Sequence, residues 1–307
     1  MKYYLFIIFI IIILLGISGC QRTTTSIIQL DDLQPLPMPT PVTSPPLRVS
    51  VASVISAQGT VQSYQPLLDY LSTRLGREVT LIQRRTYTET NELIGRNEVD
   101  VAFVCTSAYI DGRDRYGMSL LVAPQVNGET TYHSLLIVPT ESPARSMADL
   151  RGKVFAFTDP TSFSGRVYPT ALVQELGDRP ESFFQDTFFT YSHDTAIEAV
   201  ANGLADGAAV DSLVFHFALS RHPELREQVK VIYTSPPFGI PPVVVGPGVR
   251  PQLRAELQNI LLGMADDPLP LAQTALELLG IDRFVMIDDA AYASARLLRS
   301  RVGPVSP

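Results

Sequence analysis

Two cysteines, four histidines and no run of basic residues leave this 307-residue chain little material for disulfide, metal or nucleic-acid chemistry. The 24 lysines and arginines are outnumbered by 31 aspartates and glutamates, for a formal charge of -7. Proteins that grip a phosphate backbone carry basic patches, so nucleic acid is not an expected partner. The histidines are not at ligand spacing, and neither an H-x-x-x-H pair nor a P-loop glycine pattern occurs, so no metal and no cofactor is expected. No repeat of solenoid period is present either.

What is there is apolar. Hydrophobic residues make up 46% of the chain and charged ones 18%, enough for one large folded domain or two ordinary ones. The N-terminus stands apart from that body. "MKYY" carries one lysine, the apolar run "LFIIFIIIILLGI" follows, and "SGC" closes it. The run is shorter than the roughly 20 residues a spanning helix needs, which predicts an export signal. Ile17-Ser18-Gly19-Cys20 resembles the lipobox of bacterial lipoproteins, in which the cysteine receives lipid and becomes the mature N-terminus. An ordinary secretory signal or anchor that happens to contain Cys20 is the alternative. A lipid on Cys20 would tether the protein to a membrane without crossing it, on the extracytoplasmic side. Cys105 would then be alone, with no disulfide inside the mature chain.

Residues 21–46, rich in Thr, Ser and Pro, read as a semi-extended tether between signal (1–20) and body (47–307). From "LRVSVAS" onward strands and helices alternate. Strands are expected at Leu47–Ala52, Val79–Gln83, Val99–Val104, Leu135–Val138, Val154–Phe157 and Ala208–Val210. Helices are expected at Tyr64–Leu75, Thr88–Arg96, Tyr168–Leu176 and Asp194–Leu204, and the remainder after "VVVGPGV" is mostly helical. The blocks Tyr87–Val104 and His193–Val210 share a plan: a capped helix, a Gly or Asn turn, an acidic residue and a buried strand. Two such units suggest two α/β lobes, although any α/β protein contains units of this kind.

One stretch, "FTDPTSFSGRVYP", invites a chemical reading. A tetrahedral oxyanion needs donors converging from several directions, and a helix start supplies backbone N–H groups and a positive dipole end. Thr161, Ser162 and Ser164 offer hydroxyls, and Gly165 permits close approach of the backbone. Taken alone, the same residues fit a serine N-cap on a routine helix. Pro169 belongs in a helix's first turn, which places the helix proper nearer Val167 and leaves Ser162–Gly165 as a turn or nest. Asp159 reads as a turn residue before proline.

Four blocks in order, "YQPLLDYLSTRLG", "YTETNELIGRNEVDVAFVCTSAY", "DLRGKVFAFTDPTSFSGRVYP" and "SHDTAIEAVANGLADGAAVDS", resemble the periplasmic substrate-binding proteins of phosphate, phosphite and phosphonate ABC transporters. The resemblance runs from Leu47 to about Leu279. It implies the two-lobed α/β fold of periplasmic binding proteins (type II), a ligand cleft and crossovers near His133–Val138 and Pro241–Val245. Lobe 1 would comprise about 47–135 and 243–307, and lobe 2 about 136–242. It also implies a non-enzymatic, monomeric protein that delivers a small oxyanion to an ABC permease, or presents it to a sensor kinase. Carried over to this chain, the ligand-binding set is Tyr87, Tyr109, Thr161, Ser162, Phe163, Ser164, Gly165, His193 and Asp211, with Thr106 and Ser107 in a loop beside them. Phe163 departs from the family pattern, where Thr or Ser is common, and removes one hydroxyl. His193, doubly protonated, would add charge, and Asp211 would accept from a protonated ligand oxygen or an ammonium group. An enzyme on this scaffold would need Cys105 as nucleophile and His193 as base, but a cysteine ending an apolar strand is ordinarily an inert thiol.

Overall fold

The computed structural model describes residues 44–303. The expected signal, Cys20 and the tether as far as residue 43 lie outside the described residues.

Six strands form the first sheet, in the order β13-β4-β12-β3-β1-β2. They are β1 (Leu47–Val51), β2 (Val79–Ile82), β3 (Val101–Phe103), β4 (Ser119–Gln125), β12 (Val243–Val245) and β13 (Arg283–Val285). β1 pairs in parallel with both β2 and β3, whereas the late strand β12 enters antiparallel between β3 and β4. The second sheet runs β10-β6-β9-β7-β8. Its members are β6 (Ser134–Pro139), β7 (Val154–Phe157), β8 (Asp186–Phe189), β9 (Gly207–Asp211) and β10 (Val229–Thr234). Between the sheets the chain crosses twice, and the two crossings pair with each other as the antiparallel strands β5 (Thr131–Tyr132) and β11 (Phe238–Gly239). Both lie a few residues before the expected positions, because Ser134–Pro139 and Val243–Val245 are already inside sheets.

Helix α1 (Ala57–Leu75) starts two turns earlier than the apolar period predicts. Ser56 caps it, its hydroxyl accepting from Gly59 N, and Gly76 ends it in the left-handed conformation at φ 60°. Helix α2 (Tyr87–Gly95) opens on a capping box between Thr86 and Glu89. Helix α3 (Thr106–Tyr116) occupies a stretch the sequence reads as loop. Its buried face is Thr106, Ser107, Ala108, Tyr109, Ile110 and Gly112, too polar and too small to register as an apolar stripe. Thr106 and Ser107 therefore belong to a helix's first turn. Helices α4 (Tyr168–Glu175), α5 (His193–Ala201) and α6 (Ser212–Arg221) cover the second sheet. Helices α7 (Pro251–Leu262) and α8 (Pro270–Leu279) return to the first, where α8 packs along α1. The last helix, α9 (Ala293–Val302), packs on α3 beneath the first sheet and also on α4 beneath the second.

One apolar core fills the first lobe around Leu67, Leu71, Val243 and Leu276. Two others lie about the second sheet. A fourth cluster joins the lobes, holding Tyr87, Cys105, Tyr132, Phe163, Phe238 and Tyr292 in one buried group. The candidate site lies in that fourth cluster.

Candidate functional site

The second-lobe side begins where β7 ends. Ser162 caps the helix that follows, its hydroxyl accepting from Gly165 N at 3.1 Å. The α-helix proper, α4, starts at Tyr168 with Val167 at its N-cap, close to where Pro169 places it, and the turn before it, Phe163–Val167, is π-helical. Proline 169 is the physical reason. With no N–H at that position, the carbonyls it would have engaged find other donors. Ser134 Oγ donates to Ser164 O at 2.7 Å, and Thr158 N to Gly165 O at 3.3 Å, while Val167 N reaches back to Ser162 O at 3.0 Å. Gly165 is required by contact: a Cβ there would come within 1.8 Å of Thr158 Oγ1. The widened turn presents the Ser164 hydroxyl, completely buried and without a hydrogen-bond partner in the protein.

The first-lobe side is made by the starts of α2 and α3. Tyr87 N donates to Asp159 Oδ2 of the second lobe at 3.0 Å. The same carboxylate accepts from Thr161 N and Thr161 Oγ1, each at 2.7 Å, so Asp159 is an interlobe contact as well as a turn residue. Cys105 stands at the N-cap position of α3. Thr106 is committed, donating to Gly239 O on the crossover at 2.8 Å.

Four further buried hydroxyls join Ser164 in lacking a protein partner: Tyr87, Ser107, Tyr132 and Thr158. Two belong to the first lobe, two to the second, and Tyr132 to the crossover strand β5. Burial pushes the Tyr87 hydroxyl well above its ordinary range, with Cys105, Asp159 and Asp211 adding to it. Tyr132 is raised in the same way by burial, then by Cys105 and Asp211, and it lies beside Thr106 and Ser164 without a hydrogen-bonding geometry to either. Both phenols are therefore neutral donors. Unpaired buried hydroxyls cost free energy, which a ligand oxygen recovers by accepting from them.

Two titratable groups complete the cluster. His193 Nδ1 accepts from the backbone N–H of Asp211 at 3.0 Å, which fixes the proton of the neutral ring on Nε2. Burial drives its pKa down to about 3, so the expected doubly protonated, charged His193 is corrected to a neutral one. Asp211 caps α6, one oxygen accepting from Leu213 N at 2.7 Å and Val214 N at 3.4 Å. Burial raises it to about 7 against those two bonds. Among the described residues no group of three or more His, Cys, Asp or Glu side chains could hold a metal ion.

A family model described as an ABC transporter, phosphonate, periplasmic substrate-binding protein matches residues 49–292. The chain belongs to this family. The phosphonates-binding periplasmic protein of Escherichia coli is 26% identical over 257 residues, 82% of this chain and 75% of that one. The phosphate-import protein PhnD of Mycolicibacterium smegmatis is 29% identical over 185 residues, which span 56% of this chain and 57% of that protein's length. Two solved structures share the fold. The binding-protein component of an ABC phosphonate transporter from Pseudomonas aeruginosa has a TM-score of 0.77 at 23% identity, covering 83% of this chain and 85% of that one. PhnD1 of Prochlorococcus marinus, in complex with methylphosphonate, has 0.76 at 17% identity, covering 83% and 97%. The architecture is the type II fold of periplasmic binding proteins.

Family members are binding proteins and not enzymes. The geometry here agrees: burial pushes the Cys105 thiol up to about 11, and His193 is turned to the Asp211 backbone. Among the described residues no helix is long and apolar enough to cross a membrane.

Of the residues named from sequence, Tyr87 and Phe163 share the interlobe cluster, Ser162, Ser164 and Gly165 flank Phe163 in its turn, and His193 and Asp211 pair through the Asp211 N–H. All are buried, as is Ser107. Thr161 is spent on Asp159. Phe163 is wholly buried, its ring packed edge-on against Phe238 at 4.6 Å. Tyr109 lies in the same buried cluster, but its hydroxyl is spent on Asp289 at 2.7 Å and its ring lies on Tyr292, toward the C-terminal segment. Tyr132 and Thr158 were missed. Each stands next to a residue the motifs did pick out, Tyr132 before the His133 crossover and Thr158 before Asp159, and an aromatic or hydroxyl there was the available signal.

Proposed function

We propose that this protein captures a small phosphorus oxyanion, a phosphonate, phosphite or phosphate, in the interlobe cleft and delivers it to an ABC permease. Five buried hydroxyls without protein partners, drawn from both lobes and a crossover, carry the reading. The starts of α3 and of the π turn, at Cys105 and Phe163, share one buried cluster, which suits an anion near their N–H groups. Neutral donors suit an anion that must later be released, since no fixed counter-charge holds it back. The names of the relatives agree in ligand class, being phosphate, phosphonates and methylphosphonate. In this reading the protein acts as a monomer outside the cytoplasmic membrane. Lipid on Cys20 and the Pro/Thr-rich residues 21–46 hold it near the permease.

A thermal-shift titration with phosphite, methylphosphonate, 2-aminoethylphosphonate, phosphate and sulfate tests the reading, because a ligand stabilises the state that binds it. At least one phosphorus oxyanion raises Tm in a concentration-dependent way and sulfate does not. If none of the phosphorus anions moves Tm, the proposal is wrong.

A further inference from the structure

Cys105 stands among the unpartnered hydroxyls of the locus as a side chain that is neither a good hydrogen-bond donor nor charged. It is 2% exposed and belongs to the cluster that joins the lobes. Its sulfur caps no N–H of α3, and Phe163 of the second lobe lies in the same buried cluster. The hydroxyls of Tyr87 and Tyr132, both unpartnered, lie near it, and so do Asp211 and Asp159. The sulfur thus sits beside two phenols that seek an oxygen acceptor, while it is itself soft, weakly hydrogen-bonding and polarizable. A serine or threonine is the preferred type at a helix N-cap, so a thiol in that place withholds a hydroxyl where one would fit.

We infer that the Cys105 thiol is a specificity-determining contact, seated against the non-oxygen substituent of the ligand, so that the cleft selects oxyanions bearing hydrogen or a small alkyl group on phosphorus over phosphate. This rests on the phosphorus-oxyanion reading above. Oxygens of such a ligand face Tyr87, Ser107, Tyr132 and Ser164, and its hydrogen or methyl lies on sulfur. Phosphate presents a fourth oxygen to the same sulfur, which loses its water for a partner that returns little.

Calorimetric titration of the purified protein and of two variants with phosphite, methylphosphonate, ethylphosphonate and phosphate tests the assignment. The unsubstituted protein prefers phosphite or methylphosphonate to phosphate by about tenfold or more. Cys105→Ser supplies a preferred N-cap residue and narrows that ratio about tenfold, chiefly by tightening phosphate. Cys105→Ala vacates space beside the substituent and raises the affinity for ethylphosphonate relative to methylphosphonate by about fivefold or more. The second variant stands independently of whether the first one folds. Equal affinity for phosphate and methylphosphonate in the unsubstituted protein overturns the thiol assignment alone, as does an unchanged ratio in both variants. A protein that binds none of the four anions overturns the thiol assignment and the proposed function together.

Discussion

Ser162 and Ser164 are neighbouring hydroxyls in one turn, yet they do different work. Ser162 accepts from Gly165 N and so holds the helix start together. Ser164 gives its carbonyl to Ser134 and keeps a buried hydroxyl without a protein partner. Substituting each by alanine separates cap from cradle. Ser162→Ala costs about 1 kcal/mol of stability, the usual loss at an N-cap. Ser164→Ala leaves the Tm of the ligand-free protein unchanged or raised, since a buried unpaired group is removed. It weakens oxyanion binding by about 1–3 kcal/mol, the loss of a bond to a charged group. Chemical denaturation and calorimetry on the two variants read both quantities. Equal affinity of Ser164→Ala and the parent would remove Ser164 from the cradle.

At the scale of elements, the lobes meet through helix starts. Asp194, in the first turn of α5, accepts from Ser56 N with both carboxylate oxygens at 2.9 Å, at the N-terminus of α1. Beside it His193 N donates to Val54 O at 2.9 Å, and the Arg85 guanidinium stacks over the Tyr191 ring at 4.0 Å. Tyr191 adopts a positive φ of 62° to reach that position. These contacts tie the two lobes together and involve none of the unpartnered hydroxyls. Asp194→Ala is therefore expected to reduce affinity about fivefold for every ligand alike, about 1 kcal/mol, by favouring the open form. Small-angle scattering of the ligand-free variant should give a larger radius of gyration than the parent. A change in the order of ligand preference, with no change in radius, would show that Asp194 acts on the site and not on closure.

Over the whole molecule, two buried groups oppose each other in acid. Burial raises Asp211 from its ordinary 3.8 to about 7, so the folded state holds that proton longer, and its contribution to stability falls as pH rises through this window. Burial lowers His193 from 6.5 to about 3, so the unfolded state binds that proton first, and its contribution rises with pH up to 6.5. Between about pH 4 and 6.5 the two slopes have opposite sign, each roughly 1.4 kcal/mol per pH unit. Asparagine is a good cap and does not titrate, so Asp211→Asn should gain stability over this range more steeply than the parent. Urea midpoints at pH 4.5 and 6.5 measure the difference. Parallel curves for the two proteins would mean that Asp211 titrates normally.

The sequence by itself determined the alternation of strands and helices and the helix end at Gly76, because periodicity and helix stops are properties of a few consecutive residues, whereas the caps of α2 and α5 fall at Thr86 and Ser192, two residues before the expected helix starts. Its ordered motifs also pointed to the family, and to most of the hydroxyl stretch after β7. Long-range closeness and burial were not legible in it. They set the π turn before Pro169, where the missing donor is answered by Ser134 and Thr158 from other segments. They commit the Tyr109 hydroxyl to Asp289 and leave that of Tyr132, on the crossover, without a protein partner. They also strip His193 of charge and leave Cys105 protonated, since the cost of burying an ion depends on everything packed around it and not on its neighbours in the chain.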